Sequence, residues 1–220
     1  MIIVMPVKDR DDMTDQFIDR YSQQVDCEAH PLHILDNGST EPPRWMHVHD
    51  TAGLNIHQQW NWALDHLVRP IDNVCFVNND IRLVDDHTFG ALEEVLTDMS
   101  IGVVSPNHGH PTHAAMQQRS GSRVLYVPPA PADAGGPAGF CFAVPPRVHH
   151  RFRFHEPFQW WFGDTDLFWT VHYLYGLHCT VDMATGIEHI DGGSQSSKHL
   201  DLADVTAADR VLFEQKWRLT

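Results

Sequence analysis

Three polar clusters stand directly behind short apolar runs in this chain. Ile2 to Met5 leads into Pro6-Val7-Lys8-Asp9-Arg10, Leu32 to Leu35 into Asp36-Asn37-Gly38-Ser39-Thr40, and Val74 to Val77 into Asn78-Asn79-Asp80. Runs of this kind read as strands whose carboxyl ends present side chains to a crevice, the usual ligand position of an open α/β sheet. Oxygen-bearing side chains gathered at one edge suit a hard divalent cation, which takes carboxylate and phosphate oxygens, and Asp80 is the natural protein ligand. A fourth segment, Gly186 to Ser194, sets His189 ahead of a glycine-rich turn that could let backbone approach phosphate. A fifth, Trp160-Trp161-Phe162-Gly163-Asp164-Thr165-Asp166, places two carboxylates behind aromatic residues. Each has a plainer reading when taken alone. Asp36-Asn37-Gly38 also makes a turn, a lone histidine is ordinarily structural, Asp164 and Asp166 both fit a helix start, and tryptophans beside a polar site pack in cores as often as they face a ring.

The elements that must position these residues alternate. Strands are expected over 2–5, 32–35, 74–77, 102–105, 124–127 and 140–144. Between them lie stripes at helical spacing: Phe17, Tyr21 and Val25 after the acidic start Asp11-Asp12, which fits a capped N-terminus, then Ile56, Trp60, Ala63, Leu64 and Leu67 ending before Pro70, then Phe89, Leu92, Leu96 and Met99. The alternation implies an α/β fold, a mostly parallel central sheet flanked by helices, in a single domain over 1–220. Segments 106–122 and 128–139 are rich in proline and glycine and read as loops without regular structure, each a lid or binding segment or a disordered surface loop.

Composition narrows the function classes. With 15 Lys plus Arg against 29 Asp plus Glu, the formal net charge is −14, and the 17 histidines are mostly neutral at pH 7. Extended nonspecific contact with nucleic acid or an anionic membrane is disfavoured. Cys27, Cys75, Cys141 and Cys179 are far apart without a paired spacing, and three lie in apolar runs, so buried thiols are expected. No segment reaches the roughly 20 apolar residues of a membrane span, and the apolar start is too short for a signal-peptide core. A cytoplasmic protein is expected.

In this order the segments resemble the GT-A glycosyltransferases, in particular the inverting family 2, over nearly the whole chain. The resemblance implies a nucleotide-sugar-binding half over 1–105 and an acceptor-side half over 106–220. It assigns Pro6, Val7, Asp9, Asp36 and Asn37 to the nucleoside, with Asp36 facing the base. Gly53, Asn55 and Asn61 fall in the family's glycine-asparagine stretch that closes over the nucleotide. Val77-Asn78-Asn79-Asp80 is similar to the D-x-D motif, with Asn78 in place of the first Asp; Asn78 and Asn79 then face the sugar and Asp80 holds Mn²⁺ or Mg²⁺, joined by His189 as a further ligand. Gly163-Asp164-Thr165-Asp166-Leu167 is similar to the E-D-x-D-L element, with Gly163 in place of Glu, which makes Asp164 the general base. Asp166, Trp160 and Trp161 fall on the acceptor side, and the ending Phe213 to Trp217 matches the family's F-x-x-K-W, a packing feature. The basic stretch His149 to Arg153 is either a contact for a phosphate on the acceptor or a solvated turn.

The implied activity is metal-dependent transfer, with inversion, of a sugar from a UDP-, GDP- or dTDP-sugar to an acceptor hydroxyl on a glycan, protein, small molecule or modified nucleobase. Two other classes compete. A sugar nucleotidyltransferase would open on a glycine-rich phosphate loop, which Met5-Pro6-Val7-Lys8-Asp9 lacks, and a noncatalytic sugar-nucleotide or metal-binding module would fit the altered Asn78 and Gly163.

Overall fold

Every residue of the third apolar run, Val74–Val77, is buried, because both faces of the sheet at that point are covered. The computed structural model describes residues 1–41, 43–108, 118–120, 123–126, 137, 139–190 and 202–219. The first strand, β1 (Ile2–Val7), is followed by α1 (Asp11–Gln24), β2 (Leu32–Asp36), β3 (Val48–Asp50), α2 (Ile56–His66), β4 (Val74–Val77), β5 (Ile81–Leu83) and α3 (Thr88–Val95). The second half adds β6 (Ile101–Asn107), β7 (Gln118–Ser120), β8 (Arg123–Tyr126), β9 (Cys141–Val144), α4 (Pro146–His149), α5 (Gly163–Trp169), a π-helical turn (Thr170–Leu174), β10 (His178–His189) and α6 (Leu202–Trp217).

The strands form one sheet in the order β3-β2-β1-β4-β9-β6-β10-β8-β7, with β5 paired to β10. The expected α/β class and flanking helices are present, and the parallel pairing is confined to two blocks. β3, β2, β1 and β4 run parallel, and so do β6 and β10. Between the blocks β9 runs antiparallel to both β4 and β6, and β8 and β7 add an antiparallel margin beyond β10. Because β1, β2 and β4 are parallel, with Val7 opposite Asp36 and Val4 opposite Phe76, their polar carboxyl ends share one edge.

The period-2 alternation of each strand divides the core between two faces. Ile3, Met5, Val7, Cys75 and Val77 pack with Phe17 and Tyr21 of α1 and Phe89 and Leu92 of α3. Val4, Val74 and Phe76 turn to the other face, against Trp60 and Leu64 of α2 and Leu167 and Phe168 of α5. Phe158, Trp169 and Phe213 make a third, smaller cluster under α6.

Several expectations change. α1 has no side-chain cap: Arg10 precedes it in the left-handed region at φ 61°, and Asp11 and Asp12 supply only charge in the first turn. α3 stops at Val95, which leaves Met99 exposed. Residues 106 and 107 extend β6, and 118–120 pair with β8, so part of the expected 106–122 loop is strand. Residues 109–117, residues 128–136 of the expected second loop and the turn 192–194 lie outside the described residues. Cys75, Cys141 and Cys179 are buried and Cys27 is exposed, all as free thiols. Among the described residues no helix is long and apolar enough to cross a membrane.

Candidate functional site

Asp80 and His189 are far apart in sequence and meet because β5 and β10 pair as a short antiparallel ladder, with His189 opposite Ile81. The Ile190 N–H donates to the Asp80 carbonyl at 2.7 Å and locks the end of that ladder. His189 Nε2 lies 3.4 Å from Asp80 Oδ2. Asp80 is buried, and its other oxygen, Oδ1, has no hydrogen-bond partner among the described residues. A carboxylate oxygen removed from water and left unpaired costs free energy on the order of 1–3 kcal/mol or more, so it marks a place for a cation or donor. The chemistry of the pair, one hard oxygen ligand and one imidazole, fits a divalent ion such as Mn²⁺ or Mg²⁺. Among the described residues no third His, Cys, Asp or Glu converges there. The remaining coordination positions would fall to diphosphate oxygens and water.

Asp164 sits in the first turn of α5. Its Oδ1 accepts from the Thr165 N–H at 2.7 Å and from the Thr165 hydroxyl at 3.4 Å. Burial pushes its carboxyl above the usual carboxylate range, against those hydrogen bonds, which pull it down. The other oxygen rests against Gly139: a methyl group there would overlap Asp164 Oδ2, so only glycine admits the carboxylate at this point. The next residue, Phe140, stacks on His189 with ring centroids 4.2 Å apart and an interplanar angle of 11°. Gly139 and Phe140 thus join the two parts of the site, with the Asp164 carboxylate against one residue and the Asp80–His189 pair against the other.

At the sheet edge, the ends of β1 and β2 are tied together. The Asp9 N–H donates to Ser39 Oγ and the Thr40 N–H to Asp9 Oδ1, both at 2.8 Å. Asp9 adopts φ 53°, a left-handed conformation that those two bonds hold in place. Asp36 Oδ1 accepts from the Ser39 N–H at 3.0 Å, the turn contact named as the plainer alternative, and its Oδ2 has no hydrogen-bond partner among the described residues. Asn37 bridges to the glycine-asparagine stretch, donating to the Leu54 carbonyl and accepting from the Gly53 N–H. Gly53 takes φ 85° with nothing within 4 Å of where a Cβ would stand, so backbone geometry explains its lack of a side chain.

Several other assigned residues make contacts within the scaffold. Val7 packs its side chain in the core and offers only its carbonyl, which Asn37 N–H already uses, while Pro6 beside it is half-buried. Asn55 caps α2 in a reciprocal pair with Gln58 and donates to the Glu156 carbonyl. Asn61 spends its buried amide on the Phe154 N–H and carbonyl and on Glu156. The Asn79 amide donates to Thr14 of α1 at 3.0 Å, while Asn78 donates its N–H to the Phe140 carbonyl. Asp166, assigned to the acceptor side, is instead fully buried and held by Lys216 Nζ at 2.7 Å and Trp217 Nε1 at 3.0 Å, the docking point of the Phe213 to Trp217 segment. In the basic stretch, His149 donates to the Asp72 carbonyl and Arg153 to backbone carbonyls and Asp65, so both are structural. Trp161 is 42% exposed and Trp160 half-buried.

Two residues were missed. His57 of α2 is buried, donates from Nδ1 to the Phe158 carbonyl at 2.8 Å, and fills the space into which any side chain at Gly163 would point. Asp209 of α6, also buried, takes the backbone N–H groups of Gln159, Trp160 and Trp161. No local pattern revealed either partner.

No protein-family profile matches the chain, and no curated protein matches it in sequence. Solved structures do match. The fold is that of the GT-A nucleotide-sugar transferases. The mannosyltransferase PcManGT from Pyrobaculum calidifontis, in complex with GDP-Man and Mn²⁺, aligns over 86% of this chain and 56% of its own at a TM-score of 0.65 and 14% identity. Glucosyl-3-phosphoglycerate synthase from Mycobacterium tuberculosis, in complex with Mn²⁺, uridine-diphosphate and phosphoglyceric acid, aligns over 95% and 74% at 0.63 and 16%. The catalytic domain of Drosophila beta1,4galactosyltransferase 7, in complex with xylobiose, aligns over 87% and 71% at 0.55 and 15%. The chain therefore spans only about half the length of the mannosyltransferase.

Proposed function

We propose that this chain is a metal-dependent, inverting glycosyltransferase that moves a sugar from a nucleotide diphosphate sugar to an acceptor hydroxyl. The observation that carries the reading is the buried Asp80 Oδ1, unpaired among the described residues, beside His189 and joined through Gly139 and Phe140 to a carboxylate of raised pKa. The GT-A fold supports the substrate class, and two of the neighbours named above, the mannosyltransferase and the phosphoglycerate synthase, carry GDP-Man or uridine-diphosphate with Mn²⁺.

Asp80 and His189 would hold the divalent ion, which when bound neutralises charge on the diphosphate oxygens. The turn of Asp9, Asp36, Asn37 and Gly53 receives the nucleoside, with Asp36 Oδ2 available as an acceptor for base or ribose donors. Trp160 and Trp161 offer apolar faces to the acceptor. Asp164 takes the acceptor's proton as its oxygen bonds to the anomeric carbon and the bond from that carbon to the diphosphate breaks. Such a base typically contributes about 10²- to 10⁴-fold in rate. The anomeric configuration inverts in this single displacement.

The test uses water as the acceptor. UDP-glucose, GDP-mannose and dTDP-glucose are incubated with the protein and Mn²⁺, and proton NMR follows the first anomer released. The reading expects slow, EDTA-sensitive release of an inverted hemiacetal, the β-anomer from an α-linked donor. First release of the α-anomer would exclude inversion; binding without any release would leave a noncatalytic nucleotide-sugar-binding module.

A further inference from the structure

The segment that carries Asp164 is held from outside the site. Oδ1 of Asp209 accepts from the Gln159 N–H at 2.9 Å, and Oδ2 accepts from the Trp160 and Trp161 N–H groups at 2.9 and 2.8 Å. Three consecutive backbone donors converging on one buried carboxylate fix the path of the chain much as an anion-binding nest does. Directly afterwards Phe162 adopts φ 67°, in the left-handed region that a bulky side chain rarely takes, and α5 starts at Gly163. The same helix supports that strained residue: Phe213 stacks on Phe162 with centroids 5.1 Å apart. One turn further on, Lys216 and Trp217 hold Asp166. Asp209, Phe213 and Lys216 fall at helical spacing, so a single stripe of α6 grips the chain on both sides of Asp164.

We propose that Asp209 is a positioning residue for the general base, setting through residues 159–161 the turn that aims Asp164 and presents Trp160 and Trp161. This rests on the reading of Asp164 given above. A carboxylate is suited to the role because its two oxygens accept all three bonds. An amide presents one oxygen, so in Asp209→Asn either one or two of the backbone N–H groups face an NH₂ and lose their acceptor. Displacement of a reacting group by about 1 Å costs on the order of 10²-fold in rate, so a modest shift of the turn is visible in turnover.

The experiment is a double-mutant cycle on Mn²⁺-dependent release of nucleotide diphosphate from UDP-glucose and GDP-mannose, with water as acceptor. Asp209→Asn, Asp164→Asn and the double variant are compared with the parent chain, alongside calorimetric affinity for UDP and GDP with Mn²⁺. Asp209→Asn should lower turnover by about 10- to 100-fold with nucleotide affinity unchanged. In the Asp164→Asn background it should have almost no further effect, because the group it aims is already disabled. An equal loss in both backgrounds, unchanged turnover, or a fall in nucleotide affinity that accounts for the loss would overturn the proposal. If Asp209→Asn fails to fold, Asp209→Glu, which keeps both oxygens one methylene further out, carries the same comparison; failure of both to fold would assign Asp209 to stability and overturn it. Release by the parent chain from neither donor would sink the transferase reading, and with it the reaction that Asp209 would serve.

Discussion

The two ends of the site are furnished differently. Around Asp166 and residues 159–161 every polar group named above is matched: Lys216 and Trp217 share one carboxylate, and three N–H groups share another. Around Asp80, among the described residues, a buried oxygen has no partner and the convergent neighbour is His189. Matched groups build, and unmatched ones await something. Between them Asp164 uses one oxygen on Thr165 and leaves the other against a glycine. The contrast explains why Asp164 and Asp166, two residues apart, are not interchangeable.

The strongest way to break that contrast is to neutralise each carboxylate in turn. Asp164→Asn should reduce turnover by about 10²-fold or more. Its raised pKa means that folding disfavours its ionisation, a contribution to stability that is present below the ordinary carboxylate pKa and lost as pH rises through the raised value. The variant should therefore melt at the same temperature at pH 7 or slightly higher, since Asn Oδ1 still accepts from Thr165. In the parent chain, turnover should fall as pH drops through that raised pKa, and a pH–rate profile checks this. Asp166→Asn should do the reverse and lose stability, by roughly 3 kcal/mol, the lower end for a broken buried pair because the Lys216 side chain is 35% exposed. Chemical denaturation measures it, and a variant of full stability would remove Asp166 from the scaffold.

A smaller effect sharpens the other end. His189→Ala should weaken, without abolishing, the Mn²⁺-dependent rise in melting temperature given by a nucleotide diphosphate, since water can take the vacated position. Complete loss or no change would each contradict a two-residue ion site. The smallest expected effect lies away from the site. His33 stacks between His47 and His49, with its Nδ1 3.0 Å from His49 Nε2, and burial first, then those neighbours, hold its pKa at about 4. A depressed histidine contributes stability above its ordinary value of 6.5 that is lost as pH falls toward 4. His33→Val should flatten the fall of melting temperature across that window.

Where a segment is buried on both faces its sequence shows it: Val74–Val77 was legible to the residue. The three-residue strands β3 and β5 were too short to read, and β10 was hidden because Asp182, Thr185, Gly186 and Glu188 interrupt its apolar pattern. Strand ends told correctly which polar residues would share an edge. They could not tell which of those side chains turn back into the scaffold, because that depends on partners remote in sequence: Asn61 on the Phe154 backbone, Asn79 on Thr14, Asp166 on Lys216. The grip of Asp209 on the loop before α5 was not legible, because Gln159 and Asp209 lie 50 residues apart in sequence.

The central claim is that Asp80, with His189, makes diphosphate binding depend on a divalent ion. Isothermal titration of UDP and GDP into the parent chain and Asp80→Asn, each with Mn²⁺ and with EDTA, tests it most directly. The account predicts binding by the parent chain in Mn²⁺ only, and its loss in Asp80→Asn. Equal affinity in EDTA, or Mn²⁺-dependent binding that survives in Asp80→Asn, would contradict it.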